Sequence, residues 1–339
     1  MKLVTFLQKD ARQHIGVLID KERSIAVLPI AAEEMDGQSS PFFTHMLAFL
    51  QGGSAARDKA QAVVEYITSQ QPPNATVATS DVTLLAPLPR PESIRDCTAF
   101  EDHIINIIRT VGLKRVSPLD EWIEKTFGRK RTIAYRANKT FYERPVYYKG
   151  NRFSVIGPDA PMHLPAYTQR LDYELEWGIF IGKRGVDIAE ERARDYIGGY
   201  TLFNDFSARD IQMQEQGGRL GPAKGKDFDT GNAMGPCLVT PDEIPDPYNL
   251  TMTAHVNGQE WSRGTTADMH WTFEKMIAYI SRSETLHPGE FIGSGTCSGK
   301  QGRGCGLEME KFLKVGDVVE LEMEKVGILL SRVEPPLPR

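Results

Sequence analysis

Hydrophobic and polar positions alternate most regularly over residues 171–177, where Leu171, Tyr173, Leu175 and Trp177 interleave with Asp172, Glu174 and Glu176. A period of two is a β pattern, so this stretch predicts a strand carrying three carboxylates on one side. Same-face neighbours on a strand lie roughly 6.6 Å apart, which places the acids in one small region of space. Like charges that close raise one another's pKa unless a positive group sits among them. Two readings stay open on the pattern alone. One is a half-exposed strand with a solvated acidic face; the other is one wall of a site for a hard divalent cation.

Shorter β-like runs recur at KLVTFLQ (2–8), IGVLI (15–19) and SIAVLPI (24–30), and suggest a small β-rich unit. Helix formers dominate 42–51 and 55–69, with Ser54 placed to cap the second. Residues 70–93 carry five prolines and read as a linker. The predicted organisation is therefore a small N-terminal domain, residues 1–85, and a main domain, residues 90–339. In the main domain, β-like runs such as YELEWGIFIG, GYTLFND, LTMTAHVNG and DVVELEME are broken by helical stretches near 188–196 and 271–283. Their order does not alternate strand and helix, so a doubly wound parallel sheet is not expected. The fold class predicted is α+β and β-rich. Asn257-Gly258 is a strong hairpin signal.

With 339 residues, 40% hydrophobic and 25% charged, the chain has the composition of an ordinary globular protein. Its net charge of −5 argues against nucleic acid as a partner. Cys97, Cys237, Cys297 and Cys305 form no CxxC pair and show no metal-ligand spacing, which suits a reduced compartment. No apolar run approaches the length of a membrane span. The opening segment lacks an apolar core followed by a small-residue cleavage site. A cytoplasmic protein with no membrane partner is expected. Residues 113–143 are strongly basic, which fits either a solvated surface excursion or a collar that draws anionic substrates to a cleft.

Four further segments are dense in residues able to do chemistry. Asp96 and His103 lie seven apart at the entry to a helical run, HIINIIR, although a histidine there is often only structural. Residues 204–212, NDFSARDIQ, follow a strand and lead into a helix, with Asn204 or Asp205 near the cap. Residues 221–230, GPAKGKDFDT, form a glycine-punctuated loop without Walker A spacing, in which a lysine can stabilise an oxyanion. Residues 293–299, GSGTCSG, could cup a carboxylate through backbone N–H groups.

Taken together, D-x-E-L-E at 172–176, N-D-F-S-A-R-D-I-Q at 204–212, G-P-A-K-G-K-D-F-D-T at 221–230 and G-T-C-S-G at 295–299 resemble the fumarylacetoacetate hydrolase superfamily, over roughly residues 90–330. The resemblance implies a mixed β-sheet roll and a homodimer. It implies a divalent metal, Mg²⁺ (or Mn²⁺ or Ca²⁺), held by Asp96, Glu174, Glu176 and Asp205, with Asp172 just outside the ligand set and Thr230 near the metal. His103 matches the general base and Glu308 its partner acid, with Glu310 as the alternative. Lys226 matches a catalytic residue that forms a polar clamp with Arg209 and Gln212, and Tyr148 and Thr296 match substrate-contacting positions. The activity implied is hydrolysis of a C–C bond in a small-molecule oxo acid of 1,3-diketo or acylpyruvate type. Decarboxylation of oxaloacetate-like acids, and hydration or isomerisation of unsaturated oxo acids, are alternatives on the same site. Thr98 and Tyr147 differ from the residues that fumarylacetoacetate-cleaving members carry, which points away from fumarylacetoacetate itself.

Overall fold

A computed structural model describes residues 1–9, 11–218 and 220–338. The longest β runs build one large mixed sheet. Its spatial order is Thr76–Ala78, Ser24–Val27, Gln13–Ile19, Lys2–Leu7, Asn232–Val239, Ile197–Asp205, Glu176–Ile181, Phe291–Gly293, Ile94–Cys97 and Tyr147–Gly150. The two central strands, IGGYTLFND and EWGIFI, are buried along their whole length, as near-continuous apolar runs covered on both faces must be. A five-stranded sheet containing Thr251–Val256, Val318–Met323 and Gly327–Glu334 completes the fold. Its Met252, Leu321 and Leu329 join Trp177, Tyr200 and Leu202 in one core. The architecture is the expected α+β, β-rich one.

Register places the chemistry. Gly293 faces Gly178 on one side and Asp96 on the other, while Glu176 faces Phe203, two residues before Asp205. Asp96, Glu176 and Asp205 therefore come together from three strands of the sheet, with Phe291–Gly293 running between those of Asp96 and Glu176. Lys2–Leu7 pairs with Asn232–Val239, so N-terminal strands continue the same sheet.

Several local expectations change. SIAVLPI is a strand only as far as Val27; Pro29 sits in the first turn of a helix, Leu28–Asp36, where its missing N–H costs nothing. The two expected helices of 42–69 are one element, Met46–Gln70, interrupted at Gly53 (φ 55°), with Ser54 just past the break. The proline-rich linker contains two short strands, Thr76–Ala78 and Thr83–Leu85, that pair with Ser24–Val27 and Lys2–Leu7. The hairpin at Asn257-Gly258 forms with both φ angles positive (53° and 75°), as a type I′ turn requires. In the basic stretch, Arg129 meets Glu101 at 3.0 Å, Asp102 at 2.6 Å and Glu124 at 2.7 Å. Arg109, just before it, meets Asp120 and Glu124 at 2.9 and 2.6 Å. The charges of these two arginines are thus neutralised within the fold.

Candidate active site

The acidic stretch is not a half-exposed strand. Leu171–Asp172 pairs with Ser207–Ala208, and regular pairing resumes with Glu176–Ile181. Asp172, Glu174 and Glu176 are 0%, 4% and 0% exposed, which excludes the solvated-face reading. Buried carboxylates need partners. Arg209, at the start of the Arg209–Glu215 helix, bridges two of them: Nε donates to Asp172 at 2.8 Å and Nη2 to Glu174 at 2.7 Å, while Nη1 donates to the Gln212 amide oxygen at 2.9 Å. The backbone N–H groups of Gly306 and Leu307 complete the Asp172 carboxylate at 2.7 and 2.9 Å. Glu174 also accepts from Thr296 Oγ1 at 2.9 Å and from Lys226 Nζ. Lys226 reaches Asp205 Oδ2 at 2.5 Å, and the Tyr148 hydroxyl donates to the same oxygen at 2.5 Å.

Asp96, Glu176 and Asp205 behave differently. One oxygen from each lies within 4.8 Å of the others, and all three residues are buried. Among the described residues, both Glu176 oxygens and Asp205 Oδ1 have no hydrogen-bond partner. Burial, reinforced by Asp205, pushes the Asp96 carboxyl up to about 8. Burial followed by the Asp96 charge raises Glu176 well above the usual carboxylate range, and burial raises Asp205 against the pull of Lys226. Glu174 goes the other way: burial opposes ionisation, but Arg209 and Lys226 hold its pKa well below normal. Lys226 offsets one oxygen of Asp205, and the rest of the negative charge of the trio has no cation among the described residues. Three buried, convergent carboxylates with three unsatisfied oxygens, two on Glu176 and one on Asp205, fit a hard divalent ion. The four expected ligands divide into this trio and Glu174, whose two oxygens are engaged beside it.

His103 stands on the Glu101–Ile107 helix, with Nδ1 at 2.8 Å from Glu308 Oε1. Glu308 lies on the 3₁₀ turn Leu307–Met309, and its side chain is fully buried. Asn106 Nδ2 donates to its other oxygen at 2.7 Å, and Ser298 Oγ donates to Oε1 at 2.5 Å. Burial would raise the Glu308 pKa, but the His103 bond, with Ser298 and Asn106, holds it below the ordinary value. An ionised Glu308 places the imidazole proton on Nδ1 and leaves Nε2 as an acceptor. Glu310, the alternative acid, is exposed and pairs with Lys114.

Asp96, His103, Tyr148, Glu174, Glu176, Arg209, Gln212, Lys226 and Thr296 all line one cavity of about 750 Å³. Thr230 lies outside its wall, accepting from the His163 N–H at 2.8 Å and donating to the Asp229 carbonyl at 2.6 Å. Asn204 and Asp205 end a strand and do not cap the next helix, whose N-cap is Ala208. Asn204 Oδ1 instead accepts from the Glu174 N–H at 3.1 Å. From the glycine loop, Gly295 N–H donates to Asp96 Oδ1 at 3.2 Å. Gly295 has φ 71°, and a Cβ there would meet the Cys97 carbonyl at 2.2 Å. Asn106 and Ser298 escaped the sequence reading. One helical turn from His103 was the available signal for Asn106, and a place inside the G-T-C-S-G motif was the signal for Ser298.

The chain matches the family description "Fumarylacetoacetate (FAA) hydrolase C-terminal" over residues 125–334. It is 33% identical over 288 residues to "Oxaloacetate tautomerase fahd2, mitochondrial" of Xenopus laevis, covering 85% of this chain and 78% of that protein. The solved fumarylacetoacetate hydrolase of Exiguobacterium antarcticum superposes with a TM-score of 0.71 at 25% identity, over 99% of both chains. The fold is also that of maleylpyruvate hydrolase from Sphingobium sp. SYK-6, solved in complex with manganese(II) ion and pyruvate (TM-score 0.69, 22% identity, 99% of this chain and 100% of that one). Family match, overall sequence likeness and shared architecture agree: the chain belongs to the fumarylacetoacetate hydrolase family, whose members are enzymes.

Proposed function

We propose that the protein is a divalent-metal-dependent hydrolase that cleaves a C–C bond in a 1,3-diketo or acylpyruvate-type acid. The observation that carries this reading is the buttressed His103–Glu308 pair, 2.8 Å apart, in the same site as a buried carboxylate trio with unsatisfied oxygens on Glu176 and Asp205. Asp96, Glu176 and Asp205 would hold the cation, Mg²⁺ or Mn²⁺, with Glu174 alongside. The manganese and pyruvate in the Sphingobium maleylpyruvate hydrolase support that choice. When bound, such an ion neutralises negative charge that builds on the oxygens of a chelating 2-oxo acid.

The residues of the chain do the rest. His103 Nε2 takes a proton from water as its oxygen attacks the acyl carbonyl, and ionised Glu308 steadies the imidazolium through Nδ1. The C–C bond then breaks, and His103 returns the proton to the departing carbon. Lys226 stabilises developing charge on oxygen, while Arg209, Gln212, Tyr148 and Thr296 orient the acid.

A second reading, keto–enol tautomerisation of oxaloacetate, is favoured by the 33% identity to a protein of that name. It needs proton transfer through His103 but no attack by water. Assays with magnesium against acylpyruvates and oxaloacetate, with chelator controls, separate the two. His103→Ala is expected to lower hydrolysis by about 10²–10⁴-fold while magnesium affinity, measured by calorimetry, is retained. Full hydrolytic activity in His103→Ala would overturn the assignment. Turnover of oxaloacetate without cleavage of any acylpyruvate would establish the second reading.

A further inference from the structure

The cavity wall is chemically mixed. Besides the carboxylates, Arg209 and Lys226, it carries Ile104 and Ile107, on the helix of His103, and Leu307 beside Glu308. Val146 and Leu220 stand at the mouth, 42% and 98% exposed. Large apolar side chains left open around a cavity gain by covering an apolar ligand.

Charge tells the same story. The cations on the described cavity wall are Arg209, Lys226 and Lys149. Arg209 and Lys226 are bound to buried carboxylates, and Lys149 is solvent-exposed on the Tyr147–Gly150 strand. A second carboxylate on the ligand, placed against the isoleucines, would lose hydration without gaining a partner.

We infer that these apolar lining side chains form a subsite for an uncharged apolar tail, so that the preferred ligands are 2-oxo acids with alkyl or aryl acyl groups and not dicarboxylates. As a statement about substrates it rests on the hydrolase reading; as a statement about binding it does not. Each methylene transferred from water to an apolar wall tightens binding roughly fourfold when fully covered, and about twofold when half covered.

The test uses the full chain with saturating magnesium and calorimetric titration of N-methyl, N-butyl and N-hexyl oxamate, which share one head group and differ only in the tail. Affinity is expected to rise at least about tenfold from methyl to hexyl, and a carboxymethyl tail is expected to give no gain over methyl. Val146→Asn with Leu220→Ser, both at exposed positions, is expected to flatten the series. A flat series in the unmodified protein, or tighter binding of the carboxymethyl compound than of the alkyl ones, would overturn the subsite. The kinetic counterpart compares kcat/KM for acetylpyruvate and hexanoylpyruvate. If neither is cleaved while the oxamate series still climbs, the hydrolase reading fails and the subsite stands. If both are cleaved equally and the oxamate series is flat, the subsite fails and the hydrolase reading stands.

Discussion

Hydrogen bonds from His103, Asn106 and Ser298 converge on the Glu308 carboxylate. Each donor removes freedom from the acid, and the acid in turn removes freedom from the imidazole. Supporting groups of this kind change rates without touching substrate. Ser298→Ala and Asn106→Ala should each lower kcat by roughly 10–100-fold with little change in KM or magnesium affinity. Steady-state kinetics checks this, and restoration by Ser298→Thr would separate a lost hydrogen bond from a disturbed loop. An unchanged kcat would show that His103 orients Glu308 unaided. At this scale the sequence was informative about charged residues and nearly silent about their supports. Asp96, Glu176 and Lys226 stand inside dense, recognisable motifs; Ser298 does too, but its partner is set only because the loop folds back onto a turn ten residues later.

The elements show why pattern alone misled in places. A period-two run reports that a strand has two faces, but not whether both are covered. Over 171–177 the second face is closed by the Arg209 helix and by the loop that brings Gly306 and Leu307 onto Asp172. Neither contact is local, so neither could be read from alternation. The hairpin at Asn257-Gly258 was legible because its cause is local backbone geometry. Gly295 belongs to the same local class. Its positive φ and the 2.2 Å approach to the Cys97 carbonyl leave no room for a methyl group. Gly295→Ala should lower the melting temperature and weaken magnesium binding together, because the same backbone N–H holds Asp96. Calorimetric melting and magnesium titration measure both, and a wild-type profile for this variant would show that the loop yields freely.

For the molecule as a whole, the buried trio makes stability depend on pH and metal. In the metal-free protein Asp96 titrates near 8, against an ordinary value of 3.8. Folding therefore favours its protonated form. That contribution is complete below the ordinary value and is lost as pH rises toward about 8. Asp96→Asn carries no such penalty, so in chelator its advantage in melting temperature over the wild type should widen from about pH 4 to about pH 8. Magnesium at a hundredfold excess over Kd should stabilise the wild type by about 2.7 kcal/mol and the variant much less. A constant difference across that range would mean that Asp96 is ionised throughout.

The shared sheet carries a consequence for how the chain is assembled. Lys2 pairs with Val239, and Leu3 with Leu238. A strand made early in synthesis thus waits for a partner that leaves the ribosome more than two hundred residues later. Closing so long a loop loses chain entropy before any ladder bond is gained, and such non-local pairing slows folding. Thr83–Leu85 covers Thr5–Leu7 of that edge much earlier, so it is the Lys2–Leu3 end that waits for its partner, and a bare edge invites pairing with other chains. The strand beside that late partner ends in Asp205, so the last wall of the site is set among the last steps of folding.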